Sequence, residues 1–215
     1  IKKKNAGPVD LSLAAVQLAN IHADSGMSVR EGETGKAERF QALCDDMLYQ
    51  MKRYFDPSIT QPIIDMIRHP LDKFIHSKSN VFGKRLRKGR VVQGHGALLP
   101  EHIHIQGETV RFLSPHEVYK KYSVLDAAHD VATLMVDLIV ANEKELADHF
   151  LQKYKEASKD KDLESILPAY QTYCALKHGV LTCERKVALQ DESLGPVALE
   201  YFNLATRFSR TISKD

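Results

Sequence analysis

The chain has 215 residues, enough for one large domain or two small ones. Hydrophobic residues make up 43% of it and charged residues 27%, a balance that favours a buried core under an ordinary polar surface. The formal net charge is +2, so the overall charge gives no reason to expect a nucleic acid or an acidic partner.

The cysteines and the lengths of the apolar runs indicate the cellular compartment. Cys44, Cys174 and Cys183 form no CxxC pair and are odd in number, which favours a reducing environment. No apolar run approaches the length needed to cross a bilayer, and no signal-peptide core follows the basic start. We therefore expect a cytoplasmic protein. Because the first residue is Ile1 and not Met, a natural segment before it stays an open alternative.

Three helices are predicted within the first 89 residues. One opens at Gly7-Pro8 and runs to about residue 24, and the next follows a polar loop and ends at Asp56-Pro57. The third covers about 60–82. In each, apolar residues recur at three- and four-residue spacing, which is typical of one buried helix face. Pro70 lies inside the third helix and should kink or break it.

A small β insert is predicted at about 90–113, where the periodicity changes. Residues 90–93 have the composition of a short strand, and 103–106 with 109–112 have that of a hairpin around Gly107. The insert is too small to form a sheet-based domain, so we expect it to pack on the helices.

Helices are predicted again after residue 122. Ser123 and Asp126 have the spacing of a helix-capping box, and Asn142 and Glu145 repeat it. The last two helices are predicted at about 161–188 and 197–210, with a break at Gly195-Pro196.

These elements together predict the fold class α+β, predominantly helical, in a single domain over 1–215. Its parts are a helical region 1–89, a strand, loop and hairpin region 90–122, and a second helical region 123–215.

The stretch from His95 to Leu138 carries a recognisable pattern. It reads H-G-A-L-L-P-E-H-I, then the hairpin, then L-D-A-A-H-D-V-A-T-L-M-V-D-L. It resembles the aminoglycoside phosphotransferase and choline kinase superfamily, in particular an uncharacterised bacterial branch that reads H-G-D-L-H-x-x-N-I, a β-hairpin, F-D-x-I-E-F, and D-V-A-x-D-L-A-F-L-x-M-D-L. The resemblance is ungapped over this stretch and weaker on either side. It implies a protein-kinase-like C-lobe, with the ATP-facing N-lobe absent from this chain.

The resemblance also implies that the catalytic positions are degenerate. The aspartate that accepts the substrate proton falls at Ala97, and the two Mg²⁺-binding positions fall at His102 and Ser114. A methyl group accepts no proton, imidazole is a poor ligand for Mg²⁺, and a neutral hydroxyl does not replace a carboxylate. No intact catalytic residue is therefore expected, and the resemblance implies a pseudokinase without phosphotransferase activity.

Five residues match the family pattern as remnants that support the loop. His95 and Gly96 stand at the loop entry, Glu117 follows the hairpin, and Asp126 and Asp130 open the next helix. In the family pattern Asp126 supports the backbone of the catalytic loop.

The resemblance favours a structural or interaction subunit of a larger assembly. A C-lobe without its N-lobe leaves an apolar surface uncovered, and we expect a protein partner or a homo-oligomer to cover it. No cofactor is expected. The alternative is a residual ATP- or GTP-dependent small-molecule phosphotransferase or nucleotide binder, in which Glu117, Asp126 or Asp130 would take over Mg²⁺ binding.

A third alternative is a metal- or nucleic-acid-binding module. His102 and His104 would lie on one face of a strand, where they are weak candidates for a metal. The basic run from Lys84 to Arg90 could contact phosphate or an acidic partner. A solvated helix end before a strand explains that run more simply. No aromatic residues interleave with it, so nucleic acid is not expected.

Overall fold

The computed structural model describes residues 7–27, 36–54, 59–113 and 124–212, and these are predominantly helical with two small two-stranded sheets. This confirms the predicted α+β class with mostly helical content. The helices of the described residues are α1 (Pro8–Asp24), α2 (Ala37–Arg53), α3 (Gln61–Ser77), α4 (Ser79–Arg87), α5 (Ala128–Val140), α6 (Lys144–Ser158), α7 (Leu167–Leu189) and α8 (Leu194–Ile212). The strands are β1 (Val91–Gln93), β2 (Ile103–Gln106), β3 (Thr109–Phe112) and β4 (Val124–Asp126), and short 3-10 turns cover Pro100–His102 and Leu163–Ser165.

The internal contacts divide the chain into two compact units. The first unit comprises 1–36 and 81–167, and the second comprises 37–80 and 168–215. Each unit therefore combines segments that are distant in sequence. The prediction of one domain over 1–215 stays a prediction, because such a division marks clusters of packing and not segments that fold alone.

The first unit is built on helix pairs around a short strand. Helix α6 packs against both α1 and α5. Strand β1 pairs antiparallel with β4, so that Val91 lies opposite Asp126. On the other edge of β1, the Met27 amide donates to the Val91 carbonyl (2.8 Å) and the Gln93 amide donates to the Ser25 carbonyl (2.9 Å). Strand β1 is thus held on both edges, and it leads directly into residues 94–102.

The predicted hairpin is confirmed. Strands β2 and β3 pair antiparallel, with Ile103 opposite Phe112. Gly107 at the turn has φ of 61°, a left-handed conformation that glycine adopts without strain. Ile103 and Val110 point into the core and are almost fully buried, which anchors the hairpin on the helices of the same unit.

Both predicted capping boxes are wrong. Asp126 ends strand β4, and α5 begins only at Ala128. Ser123 lies outside the described residues. Asn142 has φ of 62° and follows the end of α5, while α6 begins after Glu143 with no side-chain cap. Strand pairing with β1 overrides the capping pattern in the first case, and a helix ending on a left-handed residue overrides it in the second.

Pro70 does not break helix α3, which continues to Ser77. A proline cannot donate to the carbonyl four residues earlier, here that of Met66. The Ser209 hydroxyl from α8 lies 3.2 Å from that carbonyl and donates to it. The second unit therefore supplies a tertiary hydrogen bond where the helix lacks one. The helix nevertheless ends before residue 82, so its predicted end is wrong.

The predicted break at Gly195-Pro196 is also misplaced. Both residues lie in the first turn of α8, which starts at Leu194, and the break falls at residues 190–193. Proline is well tolerated in a first helical turn, because the amide it lacks has no partner there.

Among the described residues, no helix is long and apolar enough to cross a membrane.

Candidate functional site

The candidate site is the loop that joins β1 to β2, residues 94–102. Gly96 has φ of 79°, which favours glycine, and Leu98 and Pro100 are buried. Ala97 and Leu99 are half-buried between them. The loop is therefore anchored on alternate residues and ends in the 3-10 turn Pro100–His102.

Asp130 ties this loop to helix α5. Its carboxylate accepts hydrogen bonds from the backbone amides of His95 (2.6 Å) and Gly96 (2.8 Å). Asp130 lies in the first turn of α5 and is only 2% exposed. Hydrogen bonds to a charged acceptor are stronger than neutral ones, so one buried carboxylate fixes the loop entry.

Two imidazoles surround the same carboxylate. His22 Nε2 on α1 lies 3.3 Å from one Asp130 oxygen, and His129 Nδ1 lies 3.4 Å from the other. His22 Nδ1 lies 2.8 Å from the Tyr154 hydroxyl on α6. In the tautomer in which the Tyr154 hydroxyl donates to His22 Nδ1, His22 Nε2–H donates to Asp130. Tyr154, His22 and Asp130 then each have a hydrogen-bond partner in this series.

The charge of Asp130 is stabilised by these contacts. Burial alone raises the pKa of Asp130, but the hydrogen bonds from His129 and His22 outweigh it, so the pKa lies well below its ordinary value. Asp130 is therefore an ionised, buried carboxylate at neutral pH.

Asp126 has a different partner from the one predicted. Arg85 donates to both of its carboxylate oxygens, at 2.6 and 2.8 Å, and also to Asp160 at 3.0 and 2.8 Å. Asp126 further accepts the Ala128 amide at the start of α5 (2.8 Å). The loop amides donate to Asp130, whereas the hydrogen bonds of Asp126 go to Arg85 and to the Ala128 amide, so support of the loop backbone by Asp126 stays a prediction.

The basic run divides between the interior and the surface. Arg85 is fully buried and pairs with Asp126 and Asp160. Lys84 and Lys88 are exposed and pair with Asp162, whose pKa their hydrogen bonds lower to about 2. The solvated helix end predicted for this run thus holds for the two lysines and is wrong for Arg85.

Ala97 and His102, which the resemblance predicts to be degenerate catalytic positions, contact each other. His102 Nδ1 lies 2.8 Å from the Ala97 carbonyl oxygen, to which it donates. The His102 ring stacks on the His95 ring with centroids 5.3 Å apart, and His95 Nε2 donates to the Leu113 carbonyl (2.8 Å). Burial lowers the pKa of His95, which favours the neutral ring. Ser114, the third position predicted to be degenerate, and Glu117, a predicted remnant, lie outside the described residues.

The predicted His102–His104 pair does not share a strand. His102 ends the 3-10 turn, while His104 is exposed in β2. Within the described ranges, no three His, Cys, Asp or Glu side chains are grouped so that they could hold a metal ion.

Sequence reasoning missed the residues that orient Asp130 and Asp126. His22 and Tyr154 lie among the otherwise apolar buried residues of α1 and α6. A polar side chain on such a face signals a buried partner, because an unpaired polar group is costly there. Arg85 and Asp160 gave no comparable signal, since the exposed lysines beside them, Lys84, Lys159 and Lys161, make each look like part of a charged surface.

Comparison with known proteins identifies relatives without naming an activity. No protein-family model and no solved structure matches the chain. Curated relatives are uncharacterised proteins of Mycobacterium bovis and of two strains of Mycobacterium tuberculosis, each 28% identical over 155 residues. The matched region covers 72% of this chain but only 30% of each relative. The chain thus corresponds to less than a third of the length of these relatives.

Proposed function

We propose that this chain is a catalytically inactive, phosphotransferase-like pseudokinase that acts as a structural or interaction subunit of a larger assembly. One observation carries the proposal. Asp130 fixes the backbone of the loop entry through two amides, while the side chain at position 97 is a methyl group. A loop that is held in place but carries no reactive side chain is what we expect of a protein that keeps the fold of an enzyme family without its activity.

The remaining carboxylates of the site are engaged elsewhere. Phosphoryl transfer needs a carboxylate near the attacking hydroxyl and oxygen ligands for Mg²⁺. Asp126 accepts a bidentate pair from Arg85, and Asp130 accepts two backbone amides. Either acid would have to give up buried hydrogen bonds before it could hold a metal ion. This argues against the alternative in which Asp126 or Asp130 takes over Mg²⁺ binding.

Exposed apolar side chains support an interaction role. In the second unit, Val187 and Leu189 at the end of α7 and Val197 in α8 are 66%, 63% and 40% exposed. Large apolar side chains left in solvent favour a contact site where they form a continuous patch. A protein partner or a second copy of the chain would cover them.

Thermal unfolding with nucleotide tests the proposal. A ligand that binds only the folded state stabilises it, by about 2.7 kcal/mol at 100 times its Kd. We expect no change in Tm with millimolar ATP or GTP plus Mg²⁺. A Mg²⁺-dependent rise in Tm would contradict the proposal and favour a nucleotide-binding protein.

The Ala97→Asp variant is the matched comparison, because it restores a carboxylate to the loop and leaves the Asp130 contacts in place. A Mg²⁺-dependent shift in this variant alone would show that the loop backbone can still present a carboxylate at position 97 to Mg²⁺ and nucleotide. Such a result would strengthen the proposed origin of the chain.

A further inference from the structure

The Asp130 carboxylate joins three separate parts of the first unit. Two backbone amides of the loop, one imidazole of α1 and one imidazole of α5 all lie within 3.4 Å of its two oxygens. We propose that Asp130 is an acid-operated latch, whose neutralisation releases the loop entry at residues 94–97 from α5 while the helices stay folded.

The latch depends on charge because every contact at Asp130 is an N–H or a ring nitrogen. An ionised carboxylate is acceptor-only and accommodates several donors on its two oxygens. The His95 amide donates to one carboxylate oxygen and the Gly96 amide to the other, so protonation replaces two charge-assisted hydrogen bonds with weaker ones to a neutral carboxyl. Neutralisation therefore weakens both bonds that tie the loop to α5.

Other titratable groups near Asp130 do not supply a replacement carboxylate. Asp126 and Asp160 are held by the buried Arg85. The titratable side chains that face Asp130 directly are two imidazoles, those of His22 and His129. The charged or titratable groups one neighbour away, on α6, in the loop and in the Arg85 cluster, are Tyr154, His95, Asp126, Arg85, Asp160 and Arg90.

The direction of the pH effect follows from the change in the pKa of Asp130 when the loop is released. The His95 and Gly96 amides donate to the ionised form of Asp130, so releasing them removes part of what stabilises that form and raises the pKa of Asp130 from its lowered value. The released form therefore binds the proton more readily. As the pH falls below about 4, the ratio of held to released loop should decrease between the pKa of the released form and that of the held form, by at most about tenfold per pH unit.

Nuclear magnetic resonance of the ¹⁵N-labelled full chain tests the latch. We expect the amide signals of His95 and Gly96 to move together as the pH falls below about 4, while amides of α5 and α6 and the far-UV circular dichroism stay unchanged. At pH 7, Asp130→Asn should reproduce the acid positions and accelerate hydrogen exchange of the two amides at least tenfold.

Asp162→Asn is the matched control, because Asp162 also has a lowered pKa but pairs with Lys84 and Lys88 on the surface. It should leave both loop amides as in the wild type. The latch is refuted if the His95 and Gly96 signals hold until the helices melt, or if Asp130→Asn and Asp162→Asn exchange at equal rates. The wild-type titration decides the matter even where Asp130→Asn fails to fold.

Discussion

Arg85 is a buried cation whose cost is offset by two carboxylates. Burial alone lowers the pKa of Arg85, and the charges and hydrogen bonds of Asp126 and Asp160 more than reverse this, so the net direction is upward. The guanidinium is planar and presents its donors in a fixed fork, which suits two carboxylates at once. Through them, Arg85 joins α4 to strand β4 and to the turn after α6.

Loss of Arg85 is therefore expected to be severe. Arg85→Ala leaves two buried carboxylates without their cation and should lower the free energy of unfolding by about 3–5 kcal/mol. Arg87→Ala is the control, since Arg87 is exposed on the same helix and its loss should change stability by less than about 0.5 kcal/mol. Urea unfolding of both variants measures this. Equal losses would mean that the buried cluster contributes no stability of its own.

Helix α3 continues through a proline because a second helix completes its hydrogen bonding. The Ser209 hydroxyl donates to the Met66 carbonyl, which Pro70 leaves without an amide. The same hydroxyl lies 2.9 Å from the Thr206 carbonyl within its own helix. At the scale of the element, the hydrogen bond that proline removes from α3 is thus replaced by a tertiary hydrogen bond from α8.

Ser209→Ala should lower the free energy of unfolding by about 1 kcal/mol, the usual net value of one hydrogen bond. In a Pro70→Ala background, the amide of residue 70 can donate to Met66, so the loss on Ser209→Ala should shrink. A double-mutant cycle by urea unfolding isolates this coupling. Additive effects would show that Ser209 does not serve the Met66 carbonyl.

Helices α7 and α8 approach each other closely at a glycine. A Cβ atom on Gly179 would lie 2.4 Å from the Phe202 ring, nearer than real contacts allow. Gly179→Ala should therefore destabilise the protein by about 1–3 kcal/mol through overpacking. Gly83→Ala in α4 is the matched change, because the nearest atom is a flexible arginine nitrogen at 3.5 Å. There alanine should be neutral or stabilise by up to about 1 kcal/mol. Thermal unfolding of the pair should show opposite shifts or a shift at residue 179 alone.

Element type could be predicted where periodicity was strong, and element boundaries could not. The hairpin around Gly107 and the long amphipathic helices carry local signals that agree with the tertiary structure. Strand β4 carries a capping pattern instead, since Ser123 and Asp126 have the right spacing for a helix start. Its strand conformation comes from pairing with β1, more than thirty residues earlier, and no local pattern encodes such a partner.

At the scale of the whole chain, sequence located the candidate loop together with Asp130, but not the residues that orient Asp130 and Asp126. His95, Gly96 and Asp130 were identified together, and the structure brings them into contact. Asp126 and Asp130 belong to the same pattern, and only Arg85 distinguishes their surroundings. That cation comes from a helix some forty residues upstream.

The titratable groups with shifted pKa values also predict how stability depends on pH. Asp130 and Asp162 have lowered pKa values, so the stability they contribute is present above about pH 4 and is lost as pH falls further. Cys44 and Tyr154 have pKa values raised by burial, so their neutral forms favour the folded state. That stability is present below about pH 8.5 for the thiol and about pH 10 for the phenol, and is lost above those values. We therefore expect a plateau between about pH 5 and pH 8.

The dependence of the free energy of unfolding on alkaline pH separates the contribution of Tyr154 from that of the rest of the protein. Each group that ionises only in the unfolded chain lowers the free energy of unfolding by about 1.4 kcal/mol per pH unit. Tyr154→Phe should reduce that slope above about pH 10, in addition to a loss of about 1 kcal/mol at neutral pH from the missing bond to His22. Tyr49→Phe is the control, because Tyr49 is 64% exposed and its removal should leave the curve unchanged. Urea unfolding at each pH measures both curves. Parallel curves for Tyr154→Phe and the wild type above pH 10 would contradict a buried, neutral phenol, because only a group whose ionisation differs between the two states changes the slope.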